Sequence, residues 1–270
     1  MCGRYASAAQ TIDLVNAFAL AGYHMDPLFS SEAYHWSPSW NIAPGQMVRI
    51  VVDRPPPATG RVDLVDAAGT AVTNRTDPDT EADTDCSCWQ VHLARWGLVP
   101  SWAKDPRIGH KMINARRETV ADKPAFRAAV RTRRCLIPAM GYYEWQHHDS
   151  GPTTPWFIHP SDTDLTMFAG LYEFWRDPND PSGPWLTTTT IITTAALPQF
   201  ADIHDRRPVM LAPDTWAAWL SADTPRDHAL SLLDAPPVPA EAHRVARTVG
   251  NVVANGPDLI VPVESTPTAP

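Results

Sequence analysis

The sequence predicts a strand-rich α+β fold with short peripheral helices. Runs of β-branched and aromatic residues recur along the chain, at 48–52, 91–99, 156–159, 167–174 and 185–194. Pro (28) and Trp (11) are abundant for the length, which favours many strands and turns over a helix bundle. With 270 residues, 44% of them hydrophobic, the chain can bury a large core, and one domain over 1–264 is expected.

Taken in order, residues 10–20 place Ile12, Val15, Phe18 and Ala19 at helical spacing, which predicts an amphipathic helix. Residues 22–40 are aromatic and irregular. Asn41-Ile42-Ala43-Pro44-Gly45 reads as a turn before the 48–52 strand. Residues 54–88 change character. Three prolines at 55–57, Gly60 and a Thr/Asp-rich run predict an acidic surface insertion, with a hairpin around 62–65 and a mobile loop over at least 74–87. The 91–99 strand leads into Pro100-Ser101-Trp102. Asn114 reads as the cap of a short helix through Val120, with a second helix over 123–130. Residues 135–138 and 142–145 are strand-like and joined at Gly141. After the strands at 156–159, 167–174 and 185–194, residues 204–208 form a loop entering 209–211. A helix over 213–220 starts on Pro, and another spans 226–233. Segments 245–253 and 259–263 close the domain, leaving 265–270 as a frayed tail.

Composition excludes several classes. Four cysteines (Cys2, Cys86, Cys88, Cys135) in so long a chain are not a disulfide framework, which points to a reducing, cytoplasmic setting. Cys86-Ser87-Cys88 lacks zinc-site spacing and a second ligand pair, so no metal or other cofactor is expected. The first residues lack the basic start and apolar run of a signal peptide, and no stretch approaches the ~20 apolar residues that span a bilayer. The net charge of −8 argues against a generally basic surface but leaves room for a local one. Acidic residues concentrate between 53 and 85, arginines at 116–117, 131–134 and 206–207. The chain is expected to be monomeric.

Few residues have the chemistry of a reactive site. Cys2 follows Met1 directly and is small enough to permit removal of that methionine. The product carries a free α-amine and a thiol on one residue. Such a 1,2-aminothiol attacks an aldehyde through nitrogen and then sulfur, closing a five-membered thiazolidine. An α-amine pKa of roughly 7.7–8.0 and a thiol pKa of about 8.5 leave both partly nucleophilic near neutrality. Glu144, among Tyr142, Tyr143 and Trp145, is either an outward-facing strand residue or a desolvated carboxyl suited to proton transfer. A lone His such as His204 is more often structural. Asn114 positions a carbonyl or caps a helix, and the cap is the simpler reading in isolation. Arg4, Arg116 and Arg206 suit phosphates or internal ion pairs. Trp102 and Pro44 suit stacking or wedging at a base, or ordinary packing.

Seven motifs in order bring these residues together: Met1-Cys2-Gly3-Arg4-Tyr5, Asn41-Ile42-Ala43-Pro44-Gly45, Trp96 to Trp102, Ile113 to Thr119, Gly141 to Trp145, Ile192 to Ala196 and Ile203 to Pro208. A late Val249-Gly250-Asn251-Val252 also fits. The chain resembles the SOS response-associated peptidase (SRAP) family, which includes proteins that crosslink to abasic sites in single-stranded DNA. The resemblance implies a distorted barrel-like, mostly antiparallel sheet with helices outside. It implies Cys2 as nucleophile, Asn114 holding the Cys2 backbone or the opened sugar, Glu144 shuttling protons and His204 assisting ring opening. It implies DNA contacts from Arg4, Pro44, Trp102, Arg116, Thr194 and Arg206, with abasic single-stranded DNA as partner and weak lyase activity as a side reaction. Two other activities remain open: a cysteine-type (auto)peptidase, and a non-covalent module that binds modified DNA. The 54–88 insertion departs from the family pattern. Its charge would repel phosphates, so it is expected to lie away from the groove or to act as a movable cover.

Overall fold

The computed structural model describes residues 2–25, 27–55, 64–72 and 88–263. From the N-terminus come β1 (Arg4–Ser7), α1 (Thr11–Leu20), β2 (Leu28–Ser30), α2 (Ser31–Tyr34), β3 (Ser39–Ile42), β4 (Met47–Arg54) and β5 (Leu64–Val65). The middle of the chain forms β6 (Cys88–Trp96), β7 (Asn114–Arg116), α3 (Ala129–Thr132), β8 (Arg134–Ala139), β9 (Gly141–Gln146), β10 (Thr154–Pro160) and β11 (Thr166–Trp175). Then follow β12 (Leu186–Ala195), β13 (Arg206–Pro208), β14 (Met210–Leu211), α4 (Trp216–Leu220), α5 (Arg226–Leu232) and β15 (Ala240–Arg244). The expected strand-rich α+β class is what forms.

Ten strands make one sheet, in the order β13-β12-β11-β8-β4-β6-β2-β5, with β14 beside β11 and β7 beside β12. A further parallel pairing joins β12 to β6 through Thr188–Arg95 and Thr189–Trp96. The path β12-β11-β8-β4-β6 therefore returns to β12 and closes a ring. Most pairings are antiparallel, but β2–β6, β6–β12 and β7–β12 are parallel, so the sheet is mixed. The period-two alternation of strands sorts the side chains of the ring. Val48, Ile50, Val52, Ala94, Trp96, Cys135, Ile137, Phe168 and Ile191 fill the inside. Val51, Val91, Leu136, Met167, Ala169 and Ile192 face out, under Leu14 and Phe18 of α1 and Trp216 and Trp219 of α4.

The second sheet runs β15-β10-β9-β1-β3. One face sends Tyr5, Tyr142 and Ile158 into the cluster inside the ring. The other packs Ala6, Tyr143 and Phe157 against Val245, Val249 and Leu259. Gly141 begins β9 where the chain leaves one sheet for the other. A Cβ there would stand 2.6 Å from the Ile158 carbonyl oxygen, so only glycine lets β9 and β10 pair at this distance.

Four expectations need correction. Helix α1 forms, but its buried residues are Leu14 and Phe18, while Ile12 is 58% exposed. The buried face is selected by the strands beneath it, not by the helix alone. Asn114 caps no helix: residues 114–116 form β7, parallel to β12 with Asn114 opposite Ile191. Tertiary strand pairing overrides the local capping signal. The 123–130 helix reduces to separate turns closed by bonds such as Arg127 N–H to the Lys123 carbonyl, with α-helix only at α3. Part of the insertion belongs to the fold: Val65 pairs with Phe29, Val65 bridges back to Ala71, and Leu64 is buried. The expected 74–87 loop, Cys86 and the 265–270 tail lie outside the described residues. Among the described residues no helix is long and apolar enough to cross a membrane.

Candidate active site

Cys2 lies just ahead of β1 and is fully buried in the cluster inside the ring. β1 pairs with β9 so that Arg4 is opposite Tyr143, which brings the start of the chain alongside Glu144. β7 approaches from the ring. The Asn114 side-chain amide donates to the Cys2 carbonyl at 2.8 Å and fixes the backbone of the cysteine. The Asn114 Oδ1 atom is buried and accepts no hydrogen bond. Trp96 locks this arrangement: its indole N–H donates to the Ile113 carbonyl, and its backbone carbonyl accepts from Gly45 in the turn that holds Pro44.

Burial dominates the electrostatics. It pushes the Cys2 thiol well above its usual range, and the nearby Glu144 carboxylate adds to the shift. Burial likewise raises Glu144 to about 8, so the carboxyl is largely protonated at neutral pH. His204 follows a short turn whose Phe200 and Ile203 are buried in the same cluster as Cys2. Its Nε2 stands 3.9 Å from Glu144 Oε2. Burial lowers its pKa, which leaves the ring neutral at pH 7. Two groups compete for its Nδ1: the Arg206 backbone N–H at 2.9 Å and Asp205 Oδ1 at 3.0 Å. The amide is fixed in direction, whereas the Asp205 side chain is 84% exposed and free to turn. The amide therefore sets the tautomer, with the ring proton on Nε2 toward Glu144. Four residues far apart in sequence thus converge: Asn114 on the Cys2 backbone, Glu144 beside its thiol, and His204 against Glu144.

The residues expected to contact DNA differ in placement. Arg116 is exposed and shares a strand face with Asn114, two positions away. Arg206 is 13% exposed and makes a bidentate pair with Glu118, at 2.6 and 2.9 Å. Thr194, opposite Arg207 on β13, and Pro44 are half-buried. Trp102 is 59% exposed. Arg4 departs from expectation. It is 7% exposed, and its guanidinium donates to Asn41 Oδ1 and to the Val249 and Gly250 carbonyls. Asn41 donates in turn to the carbonyls of Val249, Asn251 and Ala254. The sequence reading missed Asn41 and Glu118. For Asn41 the available signal was a polar side chain between Trp40 and Ile42; Glu118, on a surface turn, gave none.

Fold and site together define a class: strand-rich, ring-closed proteins in which an amide grips the backbone of residue 2 beside a buried carboxyl and an imidazole. The sequence profile of the family described as SOS response associated peptidase (SRAP) matches residues 1–252, and the chain belongs to that family. The abasic site processing protein YoqW of Bacillus subtilis is 36% identical over 264 residues, covering 96% of this chain and 99% of that one. The abasic site processing protein HMCES of Xenopus tropicalis is 30% identical over 206 residues, covering 68% of this chain and 60% of its own. A crystal structure of a protein from Bacteroides thetaiotaomicron matches with a TM-score of 0.71 over 97% of this chain and all of that chain, at 21% identity. That likeness shows a shared fold.

Proposed function

We propose that the protein processes abasic sites in single-stranded DNA by capturing the ring-opened sugar on Cys2 as a thiazolidine. The observation that carries this is the grip of Asn114 on the Cys2 carbonyl, with a largely protonated Glu144 beside the thiol. Relatives named as abasic site processing proteins support it. The reaction needs Met1 removed. His204, with its proton on Nε2, assists opening of the cyclic sugar to its aldehyde. The Cys2 amine adds to that carbon, and water leaves as Glu144 gives up its proton, forming an iminium. The thiol then transfers its proton to the Glu144 carboxylate while sulfur bonds to the same carbon. Glu144 ends as it began, and one water is released per adduct. A carboxyl near pKa 8 can both give and take this proton at neutral pH. Carrying both nucleophiles on one residue makes ring closure intramolecular.

Arg116 and Arg206 hold phosphates flanking the lesion, Trp102 and the Pro44 turn meet neighbouring bases, and Thr194 lies beside the strand. Arg4 serves by fixing β1, from which Cys2 extends. A cysteine peptidase would instead need a standing thiolate, whereas burial keeps the Cys2 sulfur protonated, the form from which the closure above begins. The test is incubation with a single strand carrying one abasic site, followed by a denaturing gel and intact mass. The expected product has the mass of protein without Met1 plus DNA minus one water, and Cys2→Ala abolishes it. A covalent band of equal strength from Cys2→Ala would overturn the assignment.

A further inference from the structure

We propose that Glu118 sets strand specificity by occupying, on Arg206, the place a DNA phosphate must take. The inference rests on the proposed phosphate role of Arg206. A guanidinium carries five N–H donors and no acceptor. In Arg206, Nη1 and Nη2 donate to the two Glu118 oxygens at 2.6 and 2.9 Å, and Nη2 also donates to the Thr193 carbonyl at 2.8 Å. Nε is buried and has no acceptor. Only one N–H remains to face outward. A carboxylate and a phosphate present paired oxygens to the same planar fork, so each excludes the other.

The surroundings fit this exchange. Arg116 lies opposite Thr193 in the β7–β12 pairing, and the Thr193 carbonyl also accepts from the Arg117 backbone. Strands β7 and β13 flank β12 on opposite edges, and the Arg206 guanidinium reaches across to the Thr193 carbonyl, where it meets the Glu118 carboxylate on the turn after β7. Arg206, and to a lesser extent Arg116, hold that carboxyl below its usual range, so it is ionised at neutral pH. Arg117 is turned away, paired with Asp234. The Glu118 side chain is 51% exposed and can swing out, whereas Arg206 is 13% exposed and fixed by Thr193.

An intact strand must displace Glu118 using reversible backbone contacts alone, so it leaves quickly. A lesion-bearing strand is trapped once the sugar bonds to Cys2, so the same handicap hardly limits capture. Glu118 is then a specificity residue acting through Arg206.

The experiment compares wild type with Glu118→Gln and Glu118→Ala, using an undamaged oligothymidine and an abasic oligonucleotide. Both variants should bind the undamaged strand about fivefold more tightly. The slope of log affinity against log salt should steepen by about 0.7, as one more phosphate is neutralised. Crosslinking by the variants should become more sensitive to excess intact competitor. Unchanged or weaker binding, with the melting temperature preserved in either variant, overturns the inference and leaves Glu118 a mere support for Arg206. Arg206→Ala separates the two readings. If that variant binds the intact strand as wild type does, the phosphate role of Arg206 fails and the inference fails with it.

Discussion

In the proposed reaction the nitrogen and sulfur of Cys2 act from one backbone position, and its neighbours decide when each acts. Cys2→Ser keeps the amine and loses the thiol. It should yield an imine that borohydride traps, but no adduct that survives without reduction; a stable unreduced adduct would remove sulfur from the scheme. Asn114→Ala removes the donor to the Cys2 carbonyl and, with it, a buried Oδ1 that accepts no bond. Stability should therefore change little, while crosslinking slows about tenfold, checked by single-turnover gels beside a thermal melt. Burial raises Glu144 from 4.5 to about 8, so the folded state favours the protonated carboxyl. The stability tied to this group is complete below about pH 4.5 and is lost as pH rises through about 8. Glu144→Gln, neutral and similar in shape, should match wild type near pH 4 and exceed it by roughly 2–4 kcal/mol at pH 9 in urea unfolding. A difference that does not vary with pH would refute the buried-carboxyl account.

Between residue and ring, the elements work as spacers. Gly97 ends β6 at φ +125°, a conformation that L side chains rarely adopt, and a Cβ there would stand 2.7 Å from the Gly109 carbonyl oxygen. The adjacent bond from Leu98 N–H to the Met112 carbonyl places the chain just before Asn114. Gly97→Ala should cost about 2 kcal/mol or more in chemical denaturation and reduce crosslinking, because displacement of 109–112 moves Asn114. Strand β5, within the insertion, is another such element: it extends the sheet beside β2 and buries Leu64. Excising 55–86 should lower the melting temperature, not leave the fold untouched as a purely superficial loop would. The alternating runs of β4, β11 and β12 made their strands legible in sequence, whereas β7 hid behind a capping signature. Three residues are too few for a period-two pattern, and the parallel partner that stabilises them lies about eighty positions later.

Across the whole molecule, the N-terminus is tied down by the far end of the chain. Arg4 and Asn41 together bind carbonyls of residues 249, 250, 251 and 254, so segments over 200 positions apart fix the base of β1. Arg4→Met should therefore destabilise the fold by roughly 2–4 kcal/mol, because charged hydrogen bonds vanish and buried carbonyls lose their donors. A variant that unfolds like wild type would show the clamp to be dispensable and return Arg4 to a surface role.

The sequence by itself determined the strand-rich class, and its motifs carried the family resemblance that implies a reactive set of Cys2, Asn114, Glu144 and His204. The class follows from side-chain type and from periods of two along the chain, which are local properties. Only the tertiary structure decided that residues 2, 114, 144 and 204 converge, that Arg4 faces inward, and that Glu118 closes on Arg206. Those outcomes depend on β6 meeting β12 and on β1 meeting β9. Such pairings are set by burial summed over the closed ring, which no window of neighbouring residues contains.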